Sequence, residues 1–466
     1  MDVQRSAPEG DRRNHPALVG LAVLVVASAA ASALAACGGG APRSATGGAP
    51  VDATRTSCGT YRGGGCAPTG ARVDVAPPTF SHPTNITNPL FPIGALQSVV
   101  QLGHVDGVPF RSETTLLPFK GSVTWRGRRV PVLLSQYAAF RDGRLEEVAL
   151  DRYAQADDGS VWYFGEDVFD YRGGTAAVTE GTWLAGRDGP AAMIMPAAPK
   201  VGDAFRPEDV TGVVFEELTV KAVNQTVDGP RGPVAGALLA DELHLDGHLS
   251  PKAFAPGYGE FRTVDGKDLE AMAVAVPVDA LATPPPLALA TLATSAYGIL
   301  ENARLRDWEA ARPTVRRIAE AWHTLQSGSP PPRIVERMNA SVREIARAVG
   351  ARQAGKAEQA AIDVARSALD LELRHRRPVE IDVERFHLWA QQLRVHAAAK
   401  DRAGVLRDTA TLEWMRDRIT ASLDPDELKD LDAGLRELRD AADVGNLPAA
   451  ADRAARLGSH VRIWAA

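Results

Sequence analysis

Hydrophobic positions follow two different periods along the chain, and the change falls at the proline run 284–286. From about residue 80 to 280, segments such as 130–140 and 145–154 mix β-branched and aromatic residues with polar ones, as the strands of a half-buried sheet do. Beyond residue 287, Ala, Leu, Arg and Glu recur at helical spacing and glycine becomes scarce. The sequence therefore predicts an α+β multidomain chain, with an antiparallel all-β domain followed by an all-α domain.

Tight turns punctuate the strand-like part. They lie at 105–107, 141–143, 157–159, 171–174 and 264–266, and most contain Asp-Gly. Asp-Gly between alternating runs is typical of β-hairpins, so consecutive strands are expected to pair as a meander. Such a meander forms a sandwich or a barrel-like sheet. The turn at 157–159 in particular places residues 152–155 opposite residues 161–164.

Turns also divide the helical part at a regular interval. They lie near Asp307, Ala354, Asp401 and Gly445, about every 45 residues, which is close to the period of paired-helix repeats. This spacing predicts eight helices in four hairpins. A helical-hairpin repeat is slightly favoured over a bundle, although antiparallel bundles have similar loops. The predicted organisation is a β domain at 80–280, a proline linker at 281–287 and a helical domain at 288–466.

The N-terminal residues resemble a bacterial lipoprotein signal. Two arginines precede an uncharged, apolar run that ends in Leu34-Ala35-Ala36-Cys37, the pattern of a secretory signal with small residues before the cleavage site. By this resemblance, residues 1–36 are removed and Cys37 is acylated, starting with a diacylglycerol. A signal-anchor helix is the alternative, since twenty apolar residues can span a bilayer. Twin-arginine export fits the residues around the arginine pair poorly.

Residues 37–79 have the composition of a tether. They are rich in Gly, Ala, Pro, Ser and Thr and have no hydrophobic period, which is typical of a flexible linker. Cys58 and Cys66 lie within it, and two nearby cysteines are normally oxidised after export. We therefore expect a Cys58–Cys66 disulfide. A metal-binding thiol pair is less favoured, because no further cysteine or nearby histidine completes four ligands.

Composition excludes several classes of protein. Of the 466 residues, 45% are hydrophobic and 24% are charged, and the formal net charge is −6. These values are ordinary for a chain with a sizeable core, and they exclude wholesale disorder or a multi-span membrane protein. Nucleic-acid binding needs a concentrated basic face, which this balance does not suggest. The sequence also lacks nucleophile-elbow, zinc-protease, phosphate-loop and dinucleotide motifs, so no cofactor is expected.

Five segments in the β domain are distinctive when they occur together. They are ITNPLFP (86–92), WYFGED (162–167), EGTWLAGRDG (180–189), MPAAPKVGD (195–203) and FAPGYGE (254–260). Over about residues 79–275 they resemble a family of exported bacterial proteins, many of them lipoproteins, which has no assigned activity. The resemblance implies an exported module and carries over no catalytic residues.

The WYFGED hairpin contains the candidate ligand-binding residues. They combine aromatic surfaces with charged groups: Trp162, Tyr163, Trp183, Asp151, Arg152 and Glu166. Aromatic walls with a few polar groups are typical of a ligand site. The simpler interpretation is that the aromatic side chains fill the core and Arg152 pairs with a carboxylate on the next strand. As an enzyme site, two of Glu147, Asp151, Glu166 and Asp167 would act as an acid/base pair.

Two other clusters have simpler interpretations. His244 and His248, with Asp241, Glu242 and Asp246, form a potential metal-binding set, but a solvated turn is favoured and no metal is assigned. Arg374, Arg376 and Arg377 follow a predicted helix, where cations stabilise the helix C-terminus; contact with phosphate or anionic lipid is the alternative.

The sequence thus predicts an extracytoplasmic lipoprotein on the outer face of the bacterial cell membrane. It would bind a ligand or act as an interaction scaffold, with the membrane as one partner and a protein, small molecule or lipid as another. Enzymatic activity is not favoured. A carboxylate-based hydrolase of a glycan-type substrate and a carrier of lipid or hydrophobic ligands are the alternatives.

Overall fold

The structure, a computed structural model, describes residues 66–465, which form fourteen strands and eight helices. The strands are β1 (Ser98–Val105), β2 (Val108–Trp125), β3 (Arg128–Arg141), β4 (Arg144–Gln155), β5 (Val161–Arg172), β6 (Thr175–Val178), β7 (Trp183–Leu184), β8 (Ala192–Met195), β9 (Ala204–Val210), β10 (Val214–Gly229), β11 (Gly232–His244), β12 (Leu249–Ala255), β13 (Gly259–Asp265) and β14 (Asp268–Val276). The helices are α1 (Leu287–Leu305), α2 (Trp308–Gln326), α3 (Pro332–Gly350), α4 (Ala354–Glu372), α5 (Pro378–Ala398), α6 (Arg402–Ile419), α7 (Pro425–Asp443) and α8 (Leu447–Trp464). Two short 3₁₀ turns lie at Thr69–Ala71 and Thr420–Ser422.

All fourteen strands belong to one antiparallel sheet. Its main order is β6-β5-β4-β3-β2-β1-β14-β13-β12-β11-β10-β9, and β7 and β8 pair with β5. The five predicted turns each connect two paired strands, and Tyr153 lies opposite Tyr163 as expected from the turn at 157–159. The expectation of an all-β part followed by an all-α part is confirmed.

The sheet curves until its two ends meet. β8 pairs with β5 and also packs against β9 at the other end of the strand order. Trp183 Nε1 on β7 donates to Glu208 Oε1 on β9 at 3.2 Å. One face of the curved sheet therefore lines an enclosed interior.

Part of the predicted tether lies on this sheet. The Ala67 amide donates to Glu217 Oε1 at 2.6 Å, and Arg72 forms a β-bridge with Ala204. The chain therefore joins the folded part before residue 80. Cys37 and Cys58 lie outside the described residues, so the acylation and the Cys58–Cys66 disulfide stay predictions.

The eight helices form two successive four-helix bundles. In the first, α1 packs against both α2 and α4, and α3 packs against α4; in the second, α5 packs against α6 and α8, and α7 packs against α8. In a hairpin solenoid the first helix would not return to contact the fourth. The packing is therefore that of bundles, and the preference for a solenoid was wrong. None of the eight helices described within residues 66–465 combines the length and the apolar composition that a bilayer span requires.

The helices cover the outer face of the sheet. Val100, Val274 and Val276 share a hydrophobic core with the first bundle. Phe140 on β3 stacks on Trp389 of α5 with ring centroids 5.2 Å apart, in a core that contains the second bundle. Sheet and helices are thus joined through continuous apolar contacts.

Buried charges lie within the same contact. Arg111 on β2 donates to both carboxylate oxygens of Asp370 on α4, at 2.6 and 2.7 Å. Arg385 donates to Asp370 at 2.9 Å, and Arg418 donates to Glu113 at 2.6 Å. Together with Asp382, an ion-pair partner of Arg385 at 3.2 Å, three arginines and three carboxylates form a network without net charge. We call it the interface network.

Candidate functional site

The structure brings most of the predicted ligand-binding residues together, but in the interior of the sheet. Asp151 and Glu166 lie opposite each other on β4 and β5. Tyr163 donates its hydroxyl to Asp151 Oδ1 at 2.7 Å, and its ring meets Trp183 edge to face at 5.4 Å. All four side chains are buried. They form a buried polar group inside the sheet and not the open mouth that the sequence suggested.

The other two predicted residues take different positions. Trp162 is buried and donates Nε1 to Ser160 Oγ at 2.8 Å. Arg152 pairs with Asp167 on the neighbouring strand. This is the cross-strand pairing that the simpler interpretation described, and successive residues of a strand point to opposite faces. Trp162 and Arg152 therefore do not join the interior group.

Burial controls the protonation of the interior acids. It raises the pKa of Asp151 to about 6, against the opposing effect of the Tyr163 hydrogen bond. It raises the pKa of Glu166 to about 8, and the Asp151 carboxylate adds to the effect. Two carboxyls with separated pKa values are what acid/base catalysis uses. The pocket beside Asp151 has a volume of only about 60 Å³, however, well below the 300 Å³ or more that is typical of ligand sites.

A larger cavity lies between the sheet and the helices. Its volume is about 420 Å³, and its lining comes from β1, β2, the β3–β4 turn, α3, α4 and α5. Five arginines line it: Arg111, Arg144, Arg333, Arg337 and Arg366. We call it the arginine cleft. Its volume lies in the range of small-molecule sites.

Helical spacing turns these charged side chains toward the cleft. Arg333 and Arg337 are four residues apart on α3 and therefore share one face of that helix. On α4, the lining residues Gln359, Asp363 and Arg366 follow the same rule. The cleft is thus bounded by two charged helix faces that meet the hairpin ends of the sheet.

Most of the cleft arginines already have an acidic partner. Arg111 binds Asp370, and Arg144 lies 2.6 Å from Asp401. Arg333 and Arg366 pair less closely, with N–O distances of 3.4 Å to Glu336 and 3.3 Å to Asp363. The acids therefore neutralise four of the five cations, two of them at long distance.

Arg337 is the exception. Its guanidinium donates to the backbone carbonyls of Phe110 and of Gly103, the latter at 3.5 Å. Within residues 66–465, it makes no ion pair with a carboxylate. Burial, and then repulsion from Arg111, lowers the pKa of Arg337 to about 10, so the group is still charged at neutral pH. A partly buried cation without an anionic partner is energetically costly.

Sequence reasoning missed the arginine cleft. It singled out Arg374, Arg376 and Arg377, but these pair with Asp279, Glu372 and Glu380. Arg337 and Arg366 belong to no local motif, and they meet only because α3 and α4 pack together against β2. The sequence signal for the cleft is weak: α3 and α4 each have arginines close to their buried apolar face.

Compared with known proteins, the chain matches no protein-family model and no curated protein.

Proposed function

We propose that this chain is an exported lipoprotein, anchored through Cys37, whose folded part binds a small anionic molecule in the arginine cleft. The observation that carries the proposal is Arg337, a charged guanidinium that lines a 420 Å³ cavity and has no carboxylate partner within the described residues. Guanidinium groups bind carboxylate and phosphate oxygens in a bidentate manner and are strongly favoured for this purpose.

The size and charge of the cleft define the class of ligand. A cavity of this size accommodates a molecule with about ten to twenty non-hydrogen atoms. Arg337 supplies the positive charge, and Gln359 and Gln392 supply neutral hydrogen-bonding groups in the lining. A phosphorylated or carboxylated small molecule fits this combination. The chain's net charge of −6 does not favour a polyanion such as nucleic acid, which requires an extended basic surface.

The proposed anchor would hold this binding function outside the cell. The lipobox at 34–37 and the Gly-rich residues that follow it support acylation of Cys37. Two or more acyl chains hold a protein on a membrane almost permanently. The folded part would therefore capture its ligand at the membrane surface. We base the proposal on the cleft and not on the sheet interior, because the interior pocket is too small for a glycan or a lipid chain.

Binding is tested by isothermal titration calorimetry with inorganic phosphate, a short dicarboxylate and a sugar phosphate. Wild-type protein is expected to bind at least one of them with 1:1 stoichiometry. Arg337→Met should weaken that binding about tenfold to a hundredfold, since a hydrogen bond to a charged group contributes about 1.5–3 kcal/mol.

Arg347→Met is the matched control, because Arg347 is on the same helix and pairs with Glu344 at 2.6 Å but does not line the cleft. It should retain most of the affinity. If no probe binds to wild-type protein, or if Arg337→Met binds as tightly as wild type, the proposal is wrong.

A further inference from the structure

A second group of charged residues lies inside the sheet, far along the strand order from Asp151. Glu216 on β10 lies directly opposite His244 on β11, and Glu242 is two residues before His244. Cross-strand partners and residues two apart point to the same face of a sheet. All three side chains are buried, so the topology gathers two carboxylates and an imidazole in the interior.

Their separations suit coordination of one ion. One ligand atom from each side chain can be chosen so that all lie within 4.8 Å of one another. His244 Nδ1, the ring nitrogen that would bind the ion, is 3.7 Å from Glu216 Oε1. Glu242 Oε2 lies 3.4 Å from the other ring nitrogen, Nε2, so the Glu242 side chain would rotate toward Nδ1 to share the ion. Zinc–ligand bonds of about 2.0–2.2 Å in a tetrahedron place neighbouring ligand atoms about 3.4 Å apart. Small side-chain rotations would therefore complete the geometry.

Glu216 provides an independent indication of a ligand. It is 1% exposed, and within the described residues neither of its carboxylate oxygens has a hydrogen-bond partner. A buried carboxylate in this situation normally binds a cation or becomes protonated. Glu208 lies opposite Glu216 on β9 and is also buried, so a further carboxyl group lies beside it. Glu216 is thus directed into a site rich in carboxyl oxygens.

The imidazole is also held in place as a metal ligand would be. His244 Nε2 lies 3.1 Å from Ser250 Oγ. Ligating histidines usually use their second ring nitrogen for such a hydrogen bond, which fixes the ring orientation. This contact leaves Nδ1, on the Glu216 side, free to bind the ion.

Lys252 is the competing cation. Its Nζ lies 2.8 Å from Glu242 Oε2 and 3.5 Å from Glu260 Oε1, so it neutralises that side of the group. Among the described residues, its ion pairs are with Glu242 and Glu260 and not with Glu216. With a metal ion bound, Glu242 would contact both cations, and Glu260 would keep the ammonium nearby.

We propose that Glu216, Glu242 and His244 bind one divalent transition-metal ion of the zinc class, with water as a fourth ligand. One imidazole with two carboxylates suits Zn²⁺ or Mn²⁺ better than Ca²⁺ or a thiol-seeking ion. The site lies below the exposed β11–β12 turn, where the His248 ring stacks on His244 with centroids 6.1 Å apart. Opening of this turn would admit the ion. The site is independent of the arginine cleft.

The test uses purified full chain, treated with chelator, dialysed and titrated with Zn²⁺ alone and with Mn²⁺ alone. Wild type is expected to bind one equivalent of at least one ion, measured by calorimetry and by elemental analysis after gel filtration. Glu216→Gln and His244→Gln should each weaken binding about a hundredfold, the upper end of the cost even for supporting residues. Asp241→Asn is the control and should still bind one equivalent of the ion, since Asp241 pairs with Lys221 on the face of β11 opposite to Glu242.

X-ray absorption at the zinc edge of the wild-type complex provides a reading that does not depend on the folding of any variant. Only nitrogen and oxygen ligands at about 2.0–2.2 Å are expected. Three results would overturn the proposal: no bound ion, full binding in Glu216→Gln, or sulfur ligands at about 2.3 Å, which would place the ion on cysteines.

Discussion

Asp370 is the carboxylate through which the sheet and both helical bundles are joined, and replacing it should strongly destabilise the protein. It accepts two hydrogen bonds from Arg111 on β2 and one from Arg385 on α5, at 2.6, 2.7 and 2.9 Å. The Asp370 side chain is 3% exposed. Asp370→Asn preserves the shape of the side chain but leaves three arginines with only two carboxylates in the interface network.

The magnitude follows from this burial. Breaking a buried ion pair by removing one partner costs about 3–5 kcal/mol, because the remaining charge stays desolvated. The free energy of unfolding of an ordinary domain is about 5–15 kcal/mol. Asp370→Asn should therefore remove a third or more of the free energy of unfolding, which urea denaturation followed by circular dichroism would measure.

Asp432→Asn is the matched control, since Asp432 binds Arg416 through two hydrogen bonds at 2.8 and 3.0 Å but its side chain is 35% exposed. It should cost about 1 kcal/mol or less, as exposed pairs do. Adding Arg111→Met to Asp370→Asn restores the charge balance and should recover part of the loss. If Asp370→Asn costs no more than Asp432→Asn, the interface network does not hold the sheet and helices together.

Three further changes test other parts of the structure. Burial raises the pKa of Glu270 from 4.5 to about 8. Because the unfolded chain loses this proton at a lower pH than the folded protein does, the free energy of unfolding should fall between pH 5 and pH 8. Glu270→Gln should flatten this pH dependence in urea titrations, and an unchanged slope would contradict the assignment. A Cβ on Gly174 (φ +95°) would lie 2.5 Å from the Ala403 carbonyl oxygen of α6, so Gly174→Ala should lower the free energy of unfolding by about 2 kcal/mol. A Cβ on Gly173 would meet no atom within 4 Å, so Gly173→Ala should lower it by clearly less. Equal losses in the two variants would exclude the steric cause. Thiol titration of the denatured, unreduced protein should find neither Cys58 nor Cys66 reactive, and reduction should cost about 2.5 kcal/mol; two free thiols would disprove the disulfide.

Local turn chemistry explains why much of the fold could be predicted. Asp142-Gly143 and Asp158-Gly159 each form a hairpin turn, because glycine readily adopts a positive φ, here +71° and +93°. Asp307 and Asp401 cap α2 and α6 by accepting backbone hydrogen bonds. These signals lie within a few residues of each other in the sequence, so the boundaries of hairpins and helices could be predicted from it.

Long-range packing explains what could not be predicted. The closure of the sheet depends on β8, which pairs with β5 and packs against β9 at the other end of the strand order. This closure brings Glu208 next to Glu166. The preference for a solenoid was wrong for the same reason. The spacing of the hairpin turns along the sequence is the same whether or not α1 packs against α4, so it does not distinguish a solenoid from a bundle. His244 and Glu242 were noticed as a local set, but their partner Glu216 lies on the neighbouring strand. A side chain's role in these sites is set by residues that the sequence places far away.

Native mass spectrometry of the protein extracted from membranes with mild detergent tests the central claim most directly. It reports the mature N-terminus, the lipid on Cys37 and any small molecule in the folded part in one spectrum. We predict a chain that starts at an acylated Cys37 and binds one small anion, which Arg337→Met loses. A chain that retains residues 1–36 without acylation, or an anion that Arg337→Met binds as well as wild type, would contradict the account.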